Sequence, residues 1–224
     1  MKRKIITTAD GSKTIYLPEL NEHYHSKHGA INEAYHVFIK HGLWFVNSNN
    51  RVKDISILEI GFGTGLNAFI SLLEAERLKI NIDYVGIEAF PVSLKEVLQL
   101  EYPLQLSVET KADDFKRLHQ ISWDKKHDVS VYMKLTKCQL DFLDISDLNK
   151  YHLIYFDAFG ARVQPELWTE SVFEIMHRAL KKEGVLVTYS AKGSVRRALL
   201  KVGFTVERLP GPPGKREMLR AIKH

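Results

Sequence analysis

The sequence contains little cysteine and no long apolar segment. Cys138 is the one cysteine among 224 residues, which excludes an internal disulfide and, without a CxxC or CxxH pair, a zinc ribbon or finger. No apolar run reaches the roughly eighteen residues of a membrane span, and no apolar region follows the charged start at residues 1–7. We therefore expect a cytoplasmic globular protein with no signal peptide and no membrane contact.

Internal repeats, low-complexity segments and linkers rich in Pro, Gly or Ser are also missing. With 45% hydrophobic residues, a chain of this length can bury a full core. We predict a single domain over 1–224, in which residues 1–50 form an N-terminal cover segment and residues 51–224 form the core.

Positive charge is modest overall but concentrated near the end of the chain. The net charge is +5, yet residues 181–224 contain eleven Lys and Arg against three acidic residues. Clustered positive charge attracts polyanions through steering and counterion release. This distribution permits an RNA partner without establishing one.

The spacing of apolar residues predicts the fold class. Residues 30–45 have helical spacing and predict an amphipathic helix that packs over the core. Strand-like and helix-like runs then alternate, which predicts an α/β fold with a mostly parallel sheet. The predicted strands are 52–60, 83–87, 128–135, 152–156 and 185–189, and the predicted helices are 66–78, 93–100 and 166–180.

Two final strand candidates, 204–209 and 217–222, are joined by a segment too short for a crossover helix. They should pair as an antiparallel hairpin. A parallel sheet that ends in such a pair is typical of the Rossmann-like class I methyltransferase fold, whereas plain dinucleotide-binding domains usually lack it.

Three glycines at alternate positions, Gly61, Gly63 and Gly65, follow the first core strand. Glycine lets the backbone approach a ligand that side chains would exclude. Dinucleotide loops usually read GxGxxG, but Leu66 stands here where that pattern has its third glycine. The carboxylate of Glu59 before the loop would also repel a diphosphate. A carboxylate there suits a cationic cofactor, so we predict S-adenosylmethionine.

Acidic residues follow two further strands. Glu88 ends strand 83–87, where a carboxylate can accept hydrogen bonds from both ribose hydroxyls of an adenosine. Asp157 follows strand 152–156 beside the same crevice, where it can orient an amine and accept its proton. Phe159 can pack against a flat acceptor base. The alternative for Asp157 is a capping role in the following segment.

Histidines cluster near the start of the chain. His23, His25 and His28 invite a metal interpretation, but no carboxylate pair completes a site and methyl transfer needs no metal, so we predict none. Tyr24, His25 and Ser26 are interpreted instead as a loop near the cofactor or acceptor, with ordinary surface histidines as the alternative.

Short blocks over nearly the whole chain match one family. They are Asp10-Gly11-Ser12, Tyr24-His25-Ser26, Gly29-Ala30, Glu33, Val37-Phe38, Gly61 to Asn67, Glu88, Phe90-Pro91, Asp157, Phe159, Pro165, Trp168-Thr169, Arg196-Arg197, Gly203-Phe204 and Lys215 to Leu219. Through them the chain resembles the methyltransferase domain of the bifunctional tRNA 5-methylaminomethyl-2-thiouridine biosynthesis protein, which also occurs as a standalone enzyme. The blocks beyond the glycine loop are the more specific ones.

The resemblance implies N-methylation, dependent on S-adenosylmethionine, of the 5-aminomethyl group of (2-thio)uridine at the tRNA wobble position. Asp157 is then the catalytic residue, and a separate protein supplies the aminomethyl substrate. The implied cofactor residues are Glu59, Gly61, Gly63, Gly65, Leu66, Asn67, Glu88 and Asp141. The implied substrate and tRNA contacts are Tyr24, His25, Ser26, Phe159, Arg196, Arg197, Lys215 and Arg216.

The chain departs from the family pattern in two places. Ala158, Gly160 and Ala161 differ from the family's usual residues after the acid, which leaves the shape of that loop open. The family's acidic position near the adenine falls on Gln139 or Asp141, and we favour Asp141. Fused members also carry a flavin-dependent oxidase domain, and we expect this chain to supply methyl transfer only, with the oxidoreductase domain absent.

Two other functions remain open at this point. A methyltransferase or aminopropyltransferase-like enzyme acting on a small amine would also place an acid after the same strand, but its reaction would be insensitive to salt. An RNA-binding module without catalysis would bind tRNA but not the cofactor. An enzyme acting on RNA should weaken steeply with salt.

Overall fold

The computed structural model describes residues 2–50 and 53–224, except for the side chains of residues 49 and 50. Its first element is an antiparallel sheet of β1 (Lys4–Thr7), β2 (Lys13–Leu17) and β3 (Glu22–His23). A helical stretch follows, built from α1 (Ala30–Glu33), the π-helical segment Ala34–Leu43 and α2 (Trp44–Asn50). The sequence pattern predicts this stretch but not the small sheet, because its short strands hold too few side chains for an alternation to be visible.

A larger sheet forms the centre of the described chain. Its eight strands lie in the order β10-β11-β9-β8-β4-β5-β7-β6. They are β4 (Asp54–Ile60), β5 (Asn81–Ile87), β6 (Lys126–Asp128), β7 (Met133–Cys138), β8 (Tyr151–Phe156), β9 (Leu180–Thr188), β10 (Phe204–Pro210) and β11 (Glu217–Lys223).

Strand direction in this sheet confirms the predicted fold class. The strands from β9 to β7 pair in parallel, whereas β11 is antiparallel to both β9 and β10. At the other edge β6 is antiparallel to β7. The protein therefore has the Rossmann-like α/β methyltransferase fold, with a parallel centre and an antiparallel C-terminal hairpin.

Helices cover both faces of the large sheet. They are α3 (Leu66–Leu78), α4 (Leu94–Leu98), α5 (Tyr102–Gln105), α6 (Ala112–Gln120), α7 (Glu170–Ala179) and α8 (Gly193–Lys201). Because side chains alternate along a strand, Ile57 of β4 packs in a core with α3, α6 and the π-helical segment. Leu58 of β4 packs in a second core with α7 and α8.

Three predicted elements are wrong in their extent: the strand predicted at 185–189 is β9, which begins at Leu180, and two others are divided. Strand 128–135 is interrupted by a turn in which the backbone N–H groups of Val129 and Ser130 donate to the carbonyl of Met133 (3.0 and 3.2 Å). Helix 166–180 is divided because Thr169 is extended (ψ 164°) between a 3-10 turn at Pro165–Trp168 and α7.

Spacing alone cannot detect either break, since the apolar pattern continues through both. Residue 52, the predicted start of the first core strand, lies outside the described residues.

Candidate active site

The carboxyl ends of three adjacent strands meet in one crevice. β4 lies between β5 and β8, and the chain leaves these strands at Gly61, Glu88 and Asp157. The helices that follow β4 and β8 cover opposite faces of the sheet, which is where open α/β sheets bind ligands. A cavity of about 560 Å³ opens there, a size in the range of small-molecule and cofactor sites.

Most of the predicted site residues line this cavity. They are Tyr24, His25, Glu59, Gly61, Gly63, Leu66, Asn67, Glu88, Asp141, Asp157 and Phe159. Six others lie outside its lining: Ser26, Gly65, Arg196, Arg197, Lys215 and Arg216. The structure therefore brings together the residues at the strand ends and separates them from most of the basic residues.

The glycine loop packs tightly against other parts of the protein. Gly61 has φ +89°, and a Cβ there would lie 2.8 Å from the backbone oxygen of Asp157. Gly65 has φ +70°, and a Cβ there would lie 2.7 Å from Nε2 of His119. At Gly65 the turn packs against His119 and begins α3, and a contact of Gly65 with the cofactor stays a prediction.

Glu88 is held in place by the backbone of two loops. Its Oε2 accepts a hydrogen bond from Gly63 N (2.9 Å), and its Oε1 accepts one from Phe90 N (2.8 Å). A carboxylate has about four lone-pair positions, so two remain for a ligand. This arrangement is compatible with the predicted contact to ribose hydroxyls.

Asp141 begins a short turn on the opposite wall. Its Oδ1 accepts a hydrogen bond from Leu143 N (2.9 Å), and both residues line the cavity. Gln139, the alternative for the adenine-side acid, is absent from that lining. The geometry therefore favours Asp141 of the two.

Asn67 connects two carboxyl groups inside the crevice. Its Nδ2 donates to Oε1 of Glu59 (2.9 Å) and to Oδ2 of Asp157 (2.9 Å). Glu59 and Asn67 are only 1% and 3% exposed, and among the described residues Glu59 Oε2 and Asn67 Oδ1 have no hydrogen-bond partner. Buried acceptors without partners at a cavity wall favour a ligand that brings hydrogen-bond donors.

Burial changes the protonation of both carboxyl groups. It raises the pKa of Glu59 to about 8. It also raises the pKa of Asp157 well above its ordinary range, and the carboxylates of Glu33 and Glu59 act in the same direction, whereas Asn67 and Lys215 oppose them. A cation bound here would favour the ionised forms, so the site is suited to positively charged ligands.

Aromatic side chains form the acceptor-side wall. The rings of Tyr24 and Phe159 are nearly perpendicular, at 82°, with centroids 5.1 Å apart. His25 lies beside them, with Nδ1 hydrogen-bonded to Thr14 Oγ1 (3.0 Å) and Nε2 to Thr64 Oγ1 (3.3 Å). Burial lowers the pKa of His25 to about 4, so the ring is neutral near pH 7 and ties the N-terminal sheet to the glycine loop.

Ser26 and Lys215 have structural contacts where direct substrate contacts were predicted. The backbone N–H of Ser26 donates to Oε1 of Glu33 (2.9 Å). Nζ of Lys215 forms an ion pair with Oε2 of Glu33 (2.5 Å) and lies 3.8 Å from the ring centroid of Tyr189. Lys215 therefore points into the protein, whereas Arg197 and Arg216 are exposed and Arg196 is half-buried.

The sequence predicts no role for several residues that line the cavity. Arg3, Leu17 and Leu20 come from the N-terminal sheet and its turn, and Phe62, Phe90, Phe142 and Leu143 come from loops after the strands. Two further residues interact with Asp157: the carboxylate of Glu33 raises the pKa of Asp157, and Asp157 raises the pKa of Tyr189. Glu33, Phe62 and Phe90 each lie within a block that matches the family, but those matches carry no role for them.

Acidic residues outnumber basic ones on the cavity wall. Its lining contains Arg3, which forms an ion pair with Glu96 (3.3 Å), and the acids Glu59, Glu88, Asp141, Asp157 and Glu166. Within 2–50 and 53–224, no three His, Cys, Asp or Glu side chains are grouped as metal ligands. The same part of the chain contains no helix long and apolar enough to cross a membrane.

Residues 101–224 match a protein family described as S-adenosyl-L-methionine-dependent methyltransferase. The chain belongs to this family. The predictions of an enzyme and of S-adenosylmethionine as its cofactor are therefore confirmed.

The methyltransferase also resembles several curated proteins. It is 28% identical over 219 residues to the tRNA 5-methylaminomethyl-2-thiouridine biosynthesis bifunctional protein MnmC of Actinobacillus pleuropneumoniae, covering 90% of this chain and 32% of that protein. It is 29% identical over 221 residues to the MnmC protein of Delftia acidovorans, covering 93% and 33%. The chain thus spans about a third of the length of these relatives, and the predicted resemblance to the methyltransferase part of that family is confirmed.

Solved structures show the same fold. MNMC2 from Aquifex aeolicus superposes with a TM-score of 0.78 at 24% identity, covering 98% of this chain and 69% of that one. Spermidine synthase from Thermotoga maritima gives a TM-score of 0.52 at 14% identity, covering 99% and 69%. Both likenesses support the methyltransferase fold described above.

Proposed function

We propose that this methyltransferase methylates the 5-aminomethyl group of (2-thio)uridine at the wobble position of tRNA, giving 5-methylaminomethyl-(2-thio)uridine. The observation that carries the proposal is the hydrogen-bonded row of Glu59, Asn67 and Asp157, which joins the glycine loop to the acceptor-side strand end. The names of the curated relatives supply the tRNA substrate. A separate protein that makes the aminomethyl group, and a cytoplasmic location, belong to the same proposal.

The residues present fit S-adenosylmethionine. Its cationic methionine part matches the buried carboxyl group of Glu59 and Oδ1 of Asn67, which has no hydrogen-bond partner within the described part of the chain. Glu88 and Asp141 are the acids available for the ribose and the adenine side. Bound there, the cofactor supplies a methyl group on a positively charged sulfur. An acid-lined wall would repel the phosphates of a dinucleotide.

Asp157 performs the proton chemistry of the proposal. A primary amine attacks only through a free lone pair, so its ammonium form must first lose a proton. Asp157 accepts that proton and orients the lone pair of the nitrogen toward the methyl group that a bound cofactor would supply, with the electron pair of the broken carbon–sulfur bond left on sulfur. A carboxyl group with a raised pKa suits this role, because its basicity is closer to that of the amine.

The aromatic wall and the exposed arginines complete the proposed acceptor site. Tyr24 and Phe159 offer faces and edges on which a splayed base can pack. Arg197 and Arg216, both exposed, are the proposed contacts to the phosphates of the anticodon loop. Lys215 is left out of these proposed contacts because its ammonium group pairs with Glu33.

Methyl transfer at increasing salt tests this proposal against a small-amine substrate. The purified protein is given methyl-labelled S-adenosylmethionine and either tRNA from cells that lack the final methylation or a panel of polyamines. We expect label in tRNA only, and a rate under subsaturating tRNA that falls steeply between about 50 and 200 mM salt. Label in the polyamines at a salt-independent rate would instead establish the small-amine function, and tRNA binding without cofactor binding would establish an RNA-binding module.

A further inference from the structure

A partly buried ion pair lies next to the acceptor side of the crevice, outside the cavity lining. Glu33, in α1, is only 5% exposed. Its Oε2 pairs with Nζ of Lys215 (2.5 Å), and its Oε1 accepts a hydrogen bond from Ser26 N (2.9 Å). Both carboxylate oxygens of Glu33 are therefore engaged, and the ammonium group of Lys215, whose side chain is 30% exposed, is directed toward this buried carboxylate.

Tyr189 connects this ion pair to the segment that carries Asp157. Nζ of Lys215 lies 3.8 Å from the centroid of the Tyr189 ring, a cation–π contact. The hydroxyl of Tyr189 donates to the carbonyl of Ala158 (2.8 Å), and Asp157 N donates to the carbonyl of Ile60 (3.0 Å). A continuous set of contacts thus runs from Glu33 through Lys215 and Tyr189 to the carbonyl of Ala158, and the hydrogen bond to Ile60 separately fixes the backbone of Asp157 against β4.

The turn that presents Lys215 is fixed to the N-terminal half of the chain. Gly214 has φ +82° and approaches the ring of His28 so closely that a Cβ would overlap it. Nε2 of His36 is hydrogen-bonded to the carbonyl of Pro210 (2.8 Å). A lysine that bound phosphates at the surface would require neither contact.

We propose that Glu33 and Lys215 are positioning residues for Asp157, which hold its backbone segment and balance the charge around its side chain, and that Lys215 is not a tRNA contact. This inference rests on the proposed role of Asp157 as proton acceptor. Neither residue touches the reacting atoms, so both act through Asp157.

The charged groups around Asp157 determine the direction in which its pKa should change in each variant. The groups that face it are Glu33 from α1, Glu59 from β4, Asn67 from α3, the phenol groups of Tyr84 in β5 and of Tyr189 after β9, and Lys215 from the hairpin turn. Removal of the Glu33 charge leaves a cation near Asp157, and removal of the Lys215 charge leaves an anion. The two neutral variants should therefore shift the titration of Asp157 in opposite directions.

Carbon-13 NMR of the carboxyl groups of aspartate tests this directly, with Asp157→Asn used to assign the resonance. In the protein without tRNA or cofactor, we expect Glu33→Gln to lower the apparent pKa of Asp157 and Lys215→Met to raise it, each by about one pH unit. The matched controls are Asp128→Asn and Lys134→Met, which break an exposed ion pair at the far edge of the sheet and should leave the titration unchanged.

Two further variants keep the test decisive if Lys215→Met fails to fold. Lys215→Arg preserves the charge and should titrate like the unchanged protein, and Glu33→Gln combined with Lys215→Met should return close to it. Shifts in the same direction, or none in any variant, would overturn the proposal. So would a Lys215→Met protein that binds tRNA more weakly while Asp157 titrates normally. Because the titration needs no tRNA, its result stands apart from success or failure of methyl transfer.

Discussion

Nδ2 of Asn67 donates one hydrogen bond to Glu59 and one to Asp157, both of 2.9 Å. One amide group at the start of α3 thus joins the end of β4, where we place the cofactor, to the end of β8, where we place the acceptor. The two substrates of a methyl transfer must lie within reach of each other in a fixed orientation. Asn67 is the side chain through which this protein fixes the relative position of the two carboxyl groups.

Asn67→Ala should weaken cofactor binding and slow turnover together. It leaves two buried carboxyl groups without their shared donor, and a hydrogen bond to a charged group contributes roughly 1.5–3 kcal/mol, so we expect about a tenfold or larger change in each quantity. Calorimetric Kd values and single-turnover rates measure the two effects. Asn81→Ala is the matched control, because Asn81 donates a similar bond to Asp54 at an exposed site; an equal effect there would remove the special role of Asn67.

Cofactor affinity should rise with pH up to about 8. Burial raises the pKa of Glu59 to about 8, so the carboxyl group is protonated near neutral pH in the free protein, and a bound cation favours its ionised form. Binding therefore releases a proton, and Kd should fall by up to about tenfold per pH unit between roughly pH 6 and 8.

Glu59→Gln should flatten this pH dependence, which titration calorimetry in buffers of different ionisation enthalpy can measure as proton release. The same raised pKa costs stability as pH rises, because between about 4.5 and 8 the folded protein holds a proton that the unfolded chain has lost. The free Glu59→Gln protein should therefore be more stable than the unchanged protein at pH 8. An affinity that is independent of pH in the unchanged protein would contradict this account of Glu59.

Gly61→Ala should damage the active site more than an equally strained substitution elsewhere. Its φ is +89°, and the new Cβ would lie 2.8 Å from the backbone oxygen of Asp157, so strain adds to a displacement of the acceptor strand end. Gly11→Ala provides the comparison, since Gly11 has φ +83° with nothing within 4 Å of the added Cβ. We expect both variants to lose thermal stability, measured as Tm, but only Gly61→Ala to lose most of its turnover.

Asp157→Asn should abolish turnover and leave cofactor binding nearly unchanged. The amide keeps the shape of the side chain but cannot accept a proton from an ammonium group, and the acids proposed for the ribose and the adenine side, Glu88 and Asp141, are unchanged. Equilibrium binding and methyl transfer, measured on the same preparation, separate the effects. Loss of cofactor binding would make Asp157 a cofactor ligand or a structural residue.

The strand ends of the site could be predicted from the sequence because chain order determines them. In an alternating α/β pattern, residues that follow the parallel strands arrive at one edge of the sheet, which brought Gly61, Glu88 and Asp157 together as expected. The division of the chain at residue 50 and the contacts of tRNA remain predictions.

The remaining parts could not be predicted because they depend on tertiary contacts. Strands as short as Glu22–His23 leave no periodic pattern, so the cavity wall formed by Arg3 and Leu20 was not foreseen. Lys215 and Arg216 are adjacent basic residues in the sequence, but Lys215 forms an ion pair with Glu33 and Arg216 is exposed. Composition records how many charges a segment has, and only packing decides which of them face solvent.

Mass spectrometry of tRNA nucleosides tests the central claim most directly. tRNA from cells that lack the final methylation is incubated with the purified protein and S-adenosylmethionine, then digested, with Asp157→Asn as the control enzyme. We predict that 5-aminomethyl-(2-thio)uridine gains one methyl group on its amine only with the unchanged protein. An unmodified aminomethyl nucleoside, or a methyl group found on any other nucleoside, would contradict the account.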